Sequence, residues 1–336
     1  MWLLPLGAFG LDNGLGRAPP MGYNTWYDLG CSAAMNISTV RATADLLVSK
    51  GLQRLGYIYF NLDGCWVAPG PPRPVPGPNS SNITLNASAA FGNTSGLVAL
   101  IGELHGRGFQ FGLYTDRGSH TCQGRPGSRH YEAHDAATFA SWGVDFVKSD
   151  SCGAVGSIGG AVAEYKLMTA GLNATGRPIF FSLCGWKYWH APVAEGADAP
   201  RTAPHLPVEC LQWLRAHLRS PERRPSSLEA RRGPRSSPQA ATNSRIFFST
   251  TRYAKLARPL GNAARIGGDD LSWAHVLNNL DTMAPLAQYA GPGYWNDPDM
   301  LGSVKHDGRL QQTELQSRMQ FRRATPTPRP RRAMYP

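Results

Sequence analysis

The sequence lacks any run of about 18 consecutive apolar residues, the length that a membrane-spanning helix needs. It also lacks a phosphate-binding loop, because its glycine-rich stretches GGDDL and GAVGSIGG have neither the lysine of a P-loop nor the setting of a dinucleotide-binding turn. Charged residues make up 17% of the 336 residues and apolar residues 42%, enough for a sizeable core. The composition therefore predicts a globular protein without a membrane span.

The positive charge is concentrated in two segments rather than spread along the chain. The formal net charge is +11. Residues 191–252 hold ten Arg against five acidic residues, and residues 321–336 hold five Arg and no acidic residue. Neither segment interleaves its basic residues with aromatic ones in the way that a nucleic-acid-binding surface does. We therefore predict that the protein has no nucleic-acid partner and no membrane partner.

Six cysteines and six Asn-X-Ser/Thr sequons indicate the secretory route, where disulfide bonds form and N-glycans are attached. Four of the sequons lie within residues 79–93, directly after a proline-rich run, which predicts an exposed loop. Residues 1–12 are apolar but have no basic segment, and we interpret them as a residual signal or leader. The predicted location is secreted, vacuolar or lysosomal. The sequon asparagines are Asn36, Asn79, Asn82, Asn86, Asn93 and Asn173.

Short β-rich apolar runs alternate with helix-like stretches along most of the chain, which predicts a parallel sheet flanked by helices. The predicted strands are 21–26, 57–63, 109–116, 144–150, 179–185, 264–269 and 293–300. The predicted helices are 39–55, 97–107, 130–142, 160–172, 271–283 and 311–321. Most predicted strands end in a polar or aromatic residue. This favours a (β/α)₈ TIM barrel, in which the active site gathers at the carboxyl ends of the strands.

Seven segments of the chain read LDNGLGRAPPMGYNTW, GYIYFNLDGCW, FGLYTDRGSHTCQGRPGS, FASWGVDFVKSDSC, RPIFFSLCGW, ARIGGDD and GYWNDPDML. They cover roughly residues 10–189 and 253–321. Taken together and in this order, they resemble the α-galactosidase family of retaining glycoside hydrolases, which also includes α-N-acetylgalactosaminidases. The resemblance implies a (β/α)₈ barrel over residues 13–321, hydrolysis of terminal α-galactosyl groups with retention, and no metal or organic cofactor. The resemblance leaves open whether the protein forms a homodimer.

The resemblance assigns the nucleophile to Asp150 and the acid/base to Asp269, and the residues around them suit these roles. Retaining hydrolysis needs one nucleophilic carboxylate and one proton donor. Lys148 shares a strand face with Asp150, and an ammonium near a carboxylate favours its ionised form. Arg265 and Asp269 are expected on one face of a later strand, whereas Asp270 points away. A register slip of one residue would exchange Asp269 and Asp270.

The resemblance also implies a galactose site and two disulfide bonds. In that site Asp63 accepts hydrogen bonds from the 4- and 6-hydroxyls, and Trp26 is an apolar wall. Asp297 and Asp299 are interpreted as turn and cap acids at the rim. The implied disulfides are Cys31–Cys65 and Cys122–Cys152, which leaves Cys184 and Cys210 over. The implied galactose-binding residues are Trp26, Asp63, Tyr114, Lys148, Arg265 and Met300.

The sequence departs from the family pattern at several places. Gly64 stands where the family has a second acid after Asp63, so one hydroxyl contact is missing. Gly185 stands where the family often has a glutamate that contacts the sugar 2-position, which favours α-N-acetylgalactosaminidase as an alternative activity.

The domain organisation of the chain also departs from the family pattern. Residues 190–252 form an Arg/Pro/Ser-rich insertion, residues 322–336 a disordered basic tail, and the pattern stops before the eighth strand and the family's C-terminal β-sandwich. A barrel of this kind closes with eight strands. We therefore expect this chain to fold poorly, unless a segment such as 244–251 supplies a strand. A non-catalytic family member is the alternative from another class.

Overall fold

The computed structural model describes residues 11, 13–77, 83–154, 158–185, 255–269 and 272–300. Seven parallel strands form one sheet in which each strand pairs with the next along the chain. This is the strand order of a (β/α)₈ barrel, and it confirms the predicted fold class. The strands are β1 Gly22–Asn24, β2 Tyr59–Leu62, β3 Gln110–Asp116, β4 Phe146–Asp150, β5 Phe180–Leu183, β6 Ala263–Arg265 and β7 Trp295–Asp297.

In the part of the chain that the structure describes, helices follow β1, β2, β3, β4 and β6, as the alternating pattern predicts. One prediction was wrong: residues 39–55 do not form a single helix. Gly51 adopts a left-handed conformation (φ 73°), which ends the first α-helix, and a separate 3₁₀ turn follows at Gln53–Leu55. Within the described residues, the α-helices are α1 Ile37–Ser49, α2 Asn93–Gly106, α3 Glu132–Ser141, α4 Ile158–Ala174 and α5 Trp273–Met283, and further 3₁₀ helices are Ala89–Phe91 and Ala284–Tyr289.

The face of the sheet that packs against the helices is mostly apolar. Phe60, Phe111, Val147, Phe181 and Ala264 lie on five neighbouring strands, and each is 0% exposed. Leucines at three- and four-residue spacing along α2 belong to the same core. The main core therefore lies between the strands and the helices, as in a barrel protein. The helix residues packed there include Leu97, Leu100, Leu104, Tyr165, Met168 and Leu172.

The opposite face of the sheet changes from apolar to charged along the strands. Phe146, Phe180 and Ala263 form a separate small cluster near the beginnings of their strands, with Tyr59 packed against it. The rings of Phe146 and Phe180 stack with centroids 4.9 Å apart. Side chains two apart on a strand share a face, so the next layer lies directly above this cluster. That layer consists of Asn61, Lys148, Ser182 and Arg265.

The chain segment before β1 binds the amino-terminal ends of the later strands. Asn13 Nδ2 donates to the carbonyl of Ile179 at 2.8 Å, and Asn262 Nδ2 donates to Asn13 Oδ1 at 3.0 Å. The indole of Trp295 donates to the carbonyl of Gly16 at 2.7 Å. These bonds satisfy buried polar groups at the edge of the sheet that is opposite to the charged layer.

Both implied disulfide bonds are present. Cys31–Cys65 joins the chain just beyond β1 and β2, and Cys122–Cys152 joins the chain just beyond β3 and β4. Cys184 is a buried free cysteine. Two disulfides therefore fix loops at the carboxyl edge of four strands.

Several sequence predictions fall outside the described residues. They concern the leader 1–12 except for Leu11, the insertion 190–252, the helix 311–321 and the tail 322–336, and also Asp270 and Cys210. The expectation of poor folding without an eighth strand stays a prediction. Among the described helices, none is long and apolar enough to cross a membrane.

Replacing Cys31 and Cys65 together by serine is expected to lower the free energy of unfolding by about 4 kcal/mol. The bond closes a loop across a sequence separation of 34 residues, and a cross-link of that length restricts the unfolded chain by about this amount. Urea denaturation followed by circular dichroism measures the change.

The control is Ala33→Ser, which adds an exposed hydroxyl beside Cys31 and keeps the bond. A loss below about 1 kcal/mol would show that the disulfide does not restrict the unfolded chain in this way. A wild-type chain without a cooperative transition would support the expectation of poor folding.

Candidate active site

Four strands bring ionisable side chains to the carboxyl edge of the sheet. Asp116 and Asp150 end β3 and β4, and the register places these two residues side by side. Asp63 directly follows β2, and Cys184 directly follows β5. Because all strands are parallel, these side chains lie above the layer that contains Lys148. This edge is the candidate active site.

The carboxylate of Asp150 is held on both of its oxygens. The hydroxyl of Tyr114 donates to Oδ2 at 3.0 Å, and the backbone N–H of Ser151 donates to Oδ1 at 2.8 Å. The Sγ atom of Cys122 lies 3.3 Å from Oδ2. Since Cys122 is bonded to Cys152, the disulfide forms a rigid wall beside this carboxylate. Asp150 is half-buried, as expected for a group that meets a ligand.

The direct partner of Lys148 is Asp63 rather than Asp150. Nζ lies 2.7 Å from Asp63 Oδ2, to which Asn24 Nδ2 also donates at 3.0 Å. Nζ also lies 5.3 Å from the centroid of the Tyr114 ring. Burial alone would lower the pKa of Lys148, but the carboxylates of Asp63 and Asp150 raise it above its ordinary value. Lys148 is therefore a permanent cation between two carboxylates.

Arg265 holds a second pair of carboxylates. Its guanidinium lies 3.1 Å from Asp269 Oδ1 and 2.9 Å from Asp299 Oδ1. The side chain of Asp269 is 43% exposed, whereas that of Asp299 is fully buried and also accepts a hydrogen bond from the hydroxyl of Tyr27. Asp269 can therefore reach a ligand, and Asp299 fixes the arginine.

Arg265 and Asp269 were expected on one face of a strand, and this expectation was wrong, although the two side chains do meet. Strand β6 ends at Arg265 and does not continue to Asp269. Beyond the strand, the guanidinium binds the carbonyl of Gly267 at 3.2 Å and then the carboxylate of Asp269. The loop folds back over the arginine, so the contact does not come from strand alternation.

Cys184 is a buried thiol directly after β5, which lies between β4, the strand of Lys148 and Asp150, and β6, the strand that ends at Arg265. Burial is the largest cause of the raised pKa of this thiol, followed by the charge of Asp150; Arg265 and Lys148 act in the opposite direction, and Asp269 raises the pKa further. The structure brings together residues that are distant in the sequence.

Asp116 and Asp299 are functional candidates that the sequence analysis missed. Asp116 is 0% exposed and accepts backbone N–H groups from Gly118 and Cys152, each at 2.7 Å. Burial, with the neighbouring Asp150 charge, raises the pKa of Asp116 to about 7. The signal in the sequence that could have identified Asp116 was its position at the end of a predicted strand. Asp299 was interpreted as a rim acid, but it is buried against Arg265.

A group of Asp116, Cys122, Asp150 and Cys152 has its potential ligand atoms within 4.8 Å of one another. The two cysteines share a disulfide bond, so they offer no thiolate to a metal ion. Two adjacent carboxylates remain, and their mutual repulsion contributes to the raised pKa of Asp116. The group is therefore better described as a carboxylate pair beside a disulfide than as a metal centre.

Trp26 and Met300 follow β1 and β7 at the same edge, and both are half-buried. The backbone N–H of Trp26 donates to Asn24 Oδ1 at 2.8 Å, and that of Met300 donates to Asp299 Oδ1 at 2.7 Å. Their role as walls of a sugar site stays a prediction.

A parallel sheet of barrel order with paired carboxylates at its carboxyl edge is an arrangement found in glycoside hydrolases. The sequence profile of the α-galactosidase A family (Melibiase_2) matches residues 18–202. The chain therefore belongs to this family of glycoside hydrolases.

Individual relatives agree with this assignment. An α-galactosidase of Cyamopsis tetragonoloba is 36% identical over 86% of this chain and 53% of its own length. α-Galactosidase 3 of Arabidopsis thaliana is 33% identical over 88% of this chain and 51% of its own length. The solved structure of an α-galactosidase of Saccharomyces cerevisiae is 26% identical, with a TM-score of 0.62 over 93% of this chain and 58% of that one. The chain spans about half the length of these relatives.

Replacing Asp116 by asparagine is expected to flatten the pH dependence of stability. The folded state keeps the proton of Asp116 up to a pH of about 7, whereas the unfolded chain loses it near 3.8. The contribution to stability is therefore complete below the unfolded pKa and is lost as the pH rises through 7. A shift of this size corresponds to about 4 kcal/mol.

Thermal unfolding between pH 5 and 8 measures this effect. The wild-type melting temperature is expected to fall across the range, and that of Asp116→Asn to fall less. The control is Asp45→Asn on α1, where the carboxylate is exposed and paired with Arg107. Equal slopes for wild type and Asp116→Asn would contradict the raised pKa.

Proposed function

We propose that the protein is a retaining α-galactosidase in which Asp150 is the nucleophile and Asp269 the acid/base. The observation that carries the proposal is that Asp150 ends β4 and Asp269, bound to Arg265 of β6, stands at the same carboxyl edge, with only β5 between the two strands. The two carboxylates have different surroundings, which suits two different roles. Family membership supports the substrate class, since the relatives named above are α-galactosidases.

In the first step the Asp150 carboxylate attacks C1 of the sugar while the glycosidic C–O bond breaks, and Asp269 gives its proton to the leaving oxygen. In the second step Asp269 takes a proton from water, the water oxygen attacks C1, and Asp150 is released. Two inversions give net retention. The bonds from Tyr114 and Ser151 fix the attacking carboxylate, which lowers the cost of orienting it.

The proposed sugar site extends from Asp150 to Asp63. Asp63 is the acceptor for the 4- and 6-hydroxyls, and its charge is balanced by Lys148. Trp26 and Met300 are proposed as apolar walls for the ring. The geometry supports this because Asp63 and Asp150 follow strands that lie on either side of β3, with Lys148 between them.

We also propose that the protein works outside the cytosol, secreted or in a vacuole or lysosome. The two disulfide bonds support this, since they persist in oxidising compartments. Three sequon asparagines, Asn86, Asn93 and Asn173, are exposed and so accessible to glycosylation.

Alanine substitutions separate the two catalytic roles. Asp150→Ala is expected to abolish hydrolysis of every α-galactoside, including activated aryl ones. Asp269→Ala is expected to lose about 10²- to 10⁴-fold on substrates with poor leaving groups, because they need the proton. On activated substrates Asp269→Ala keeps the first step, and azide restores the second by forming an α-galactosyl azide.

Product analysis by NMR gives the configuration of the azide. Asp45→Ala, on the outer helix α1, is the control and keeps wild-type rates. A β-azide from Asp269→Ala would mean that the two roles are reversed. A product of inverted configuration from the wild type would contradict the retaining mechanism.

The second candidate function is α-N-acetylgalactosaminidase, favoured by Gly185. This residue is buried two positions after the end of β5, next to Cys184, and has no side chain to contact the sugar 2-position. Gly185→Glu is expected to raise kcat/KM for α-galactosides relative to their N-acetyl analogues by about 2- to 10-fold, the gain from one hydroxyl contact. Gly185→Ala is the control. An unchanged ratio would mean that position 185 does not face the sugar.

A further inference from the structure

The side chain of Gln123 occupies the space above Gly64. A Cβ atom on Gly64 would lie 2.8 Å from Cδ of Gln123 and nearer still to its Oε1, a separation that real Cβ atoms do not show. Gly64 follows Asp63 directly, at the end of the candidate site. The amide of Gln123 thus fills the place that a side chain at position 64 would take.

The amide of Gln123 is not satisfied within the described part of the protein. Its Oε1 is buried and has no hydrogen-bond partner there. The backbone N–H of this residue donates to Thr121 Oγ1 at 3.3 Å. Buried amide oxygens are almost always paired, so no hydrogen bond among the described residues fixes this amide oxygen in place.

The position of Gln123 connects both ends of the proposed sugar site. It follows Cys122, whose Sγ lies 3.3 Å from the Asp150 carboxylate, and the Cys122–Cys152 bond fixes its loop. Its amide reaches Gly64, beside the ion pair of Asp63 with Lys148. A sugar with C1 at Asp150 and its 4- and 6-hydroxyls at Asp63 passes along this side chain.

We propose that Gln123 determines sugar specificity, because its amide supplies the hydroxyl contact that Gly64 lacks. The contact is with the edge of the galactose ring that carries the 4- and 6-hydroxyls. An amide both donates and accepts hydrogen bonds, whereas a carboxylate only accepts. This assignment rests on the proposed function for the placement of the sugar.

An exchange of residues tests the assignment. Gln123→Ala is expected to raise KM for an aryl α-galactoside about 2- to 10-fold with little change in kcat, the effect of losing one neutral hydrogen bond. Gly64→Asp alone is expected to lose activity because its side chain meets Gln123. The double variant Gly64→Asp with Gln123→Ala has room for the new carboxylate, so its KM is expected to return to the wild-type value or below.

The control is Gln288→Ala, since Gln288 is exposed on the 3₁₀ helix that precedes β7, at the opposite edge of the sheet. Its KM is expected to equal that of the wild type. A wild-type KM in Gln123→Ala, or a double variant no better than Gly64→Asp, would overturn the proposal. Melting curves of all variants separate a loss of contact from a loss of folding.

Galactose binding distinguishes failure of this proposal from failure of the proposed function. If the wild type hydrolyses no α-galactoside, the proposed function fails, and saturation-transfer NMR with free galactose then compares wild type and Gln123→Ala. Weaker binding by Gln123→Ala supports the role of Gln123. Equal binding, or no binding of galactose by the wild type, overturns it.

Discussion

The ion pair between Lys148 and Asp63 is the interaction on which the arrangement of the site depends. It joins β4 to β2 across the intervening strand β3, over the ring of Tyr114. Both side chains are largely buried, and a buried charge is stable only when it is paired. Loss of either partner would therefore leave an unpaired charge next to Asp150. The same pair fixes the separation of the two ends of the proposed sugar site.

A second set of charges balances the other side of the site. Arg265 is held through Nη1 by the fully buried Asp299 and binds the partly exposed Asp269 through Nη2. Each cation thus has one buried carboxylate that fixes it and one carboxylate nearby that can meet a ligand. The two disulfides hold the surrounding loops, so the carboxylates are positioned before a substrate arrives.

The alternation of strands and helices predicted the sheet well, because a side chain on a strand faces either the helices or the interior. All seven predicted strands are present, and their ends differ by a few residues. The prediction for β6 failed beyond Arg265, because the loop that follows gains its stability from the guanidinium instead of from strand pairing. The prediction of a single helix over 39–55 failed at Gly51, because glycine adopts a left-handed backbone conformation at little cost in free energy.

The sequence by itself determined the class of fold, the two disulfide pairs through the family pattern, and which acids stand at strand ends. It could not assign partners to those acids, because partners such as Lys148 and Asp63 are far apart in the chain and meet only across the sheet. Tertiary structure alone buried Asp116 and Asp299 and placed Gln123 over Gly64. The physical reason is that charge pairing and burial depend on distances between strands, which local residue patterns do not encode.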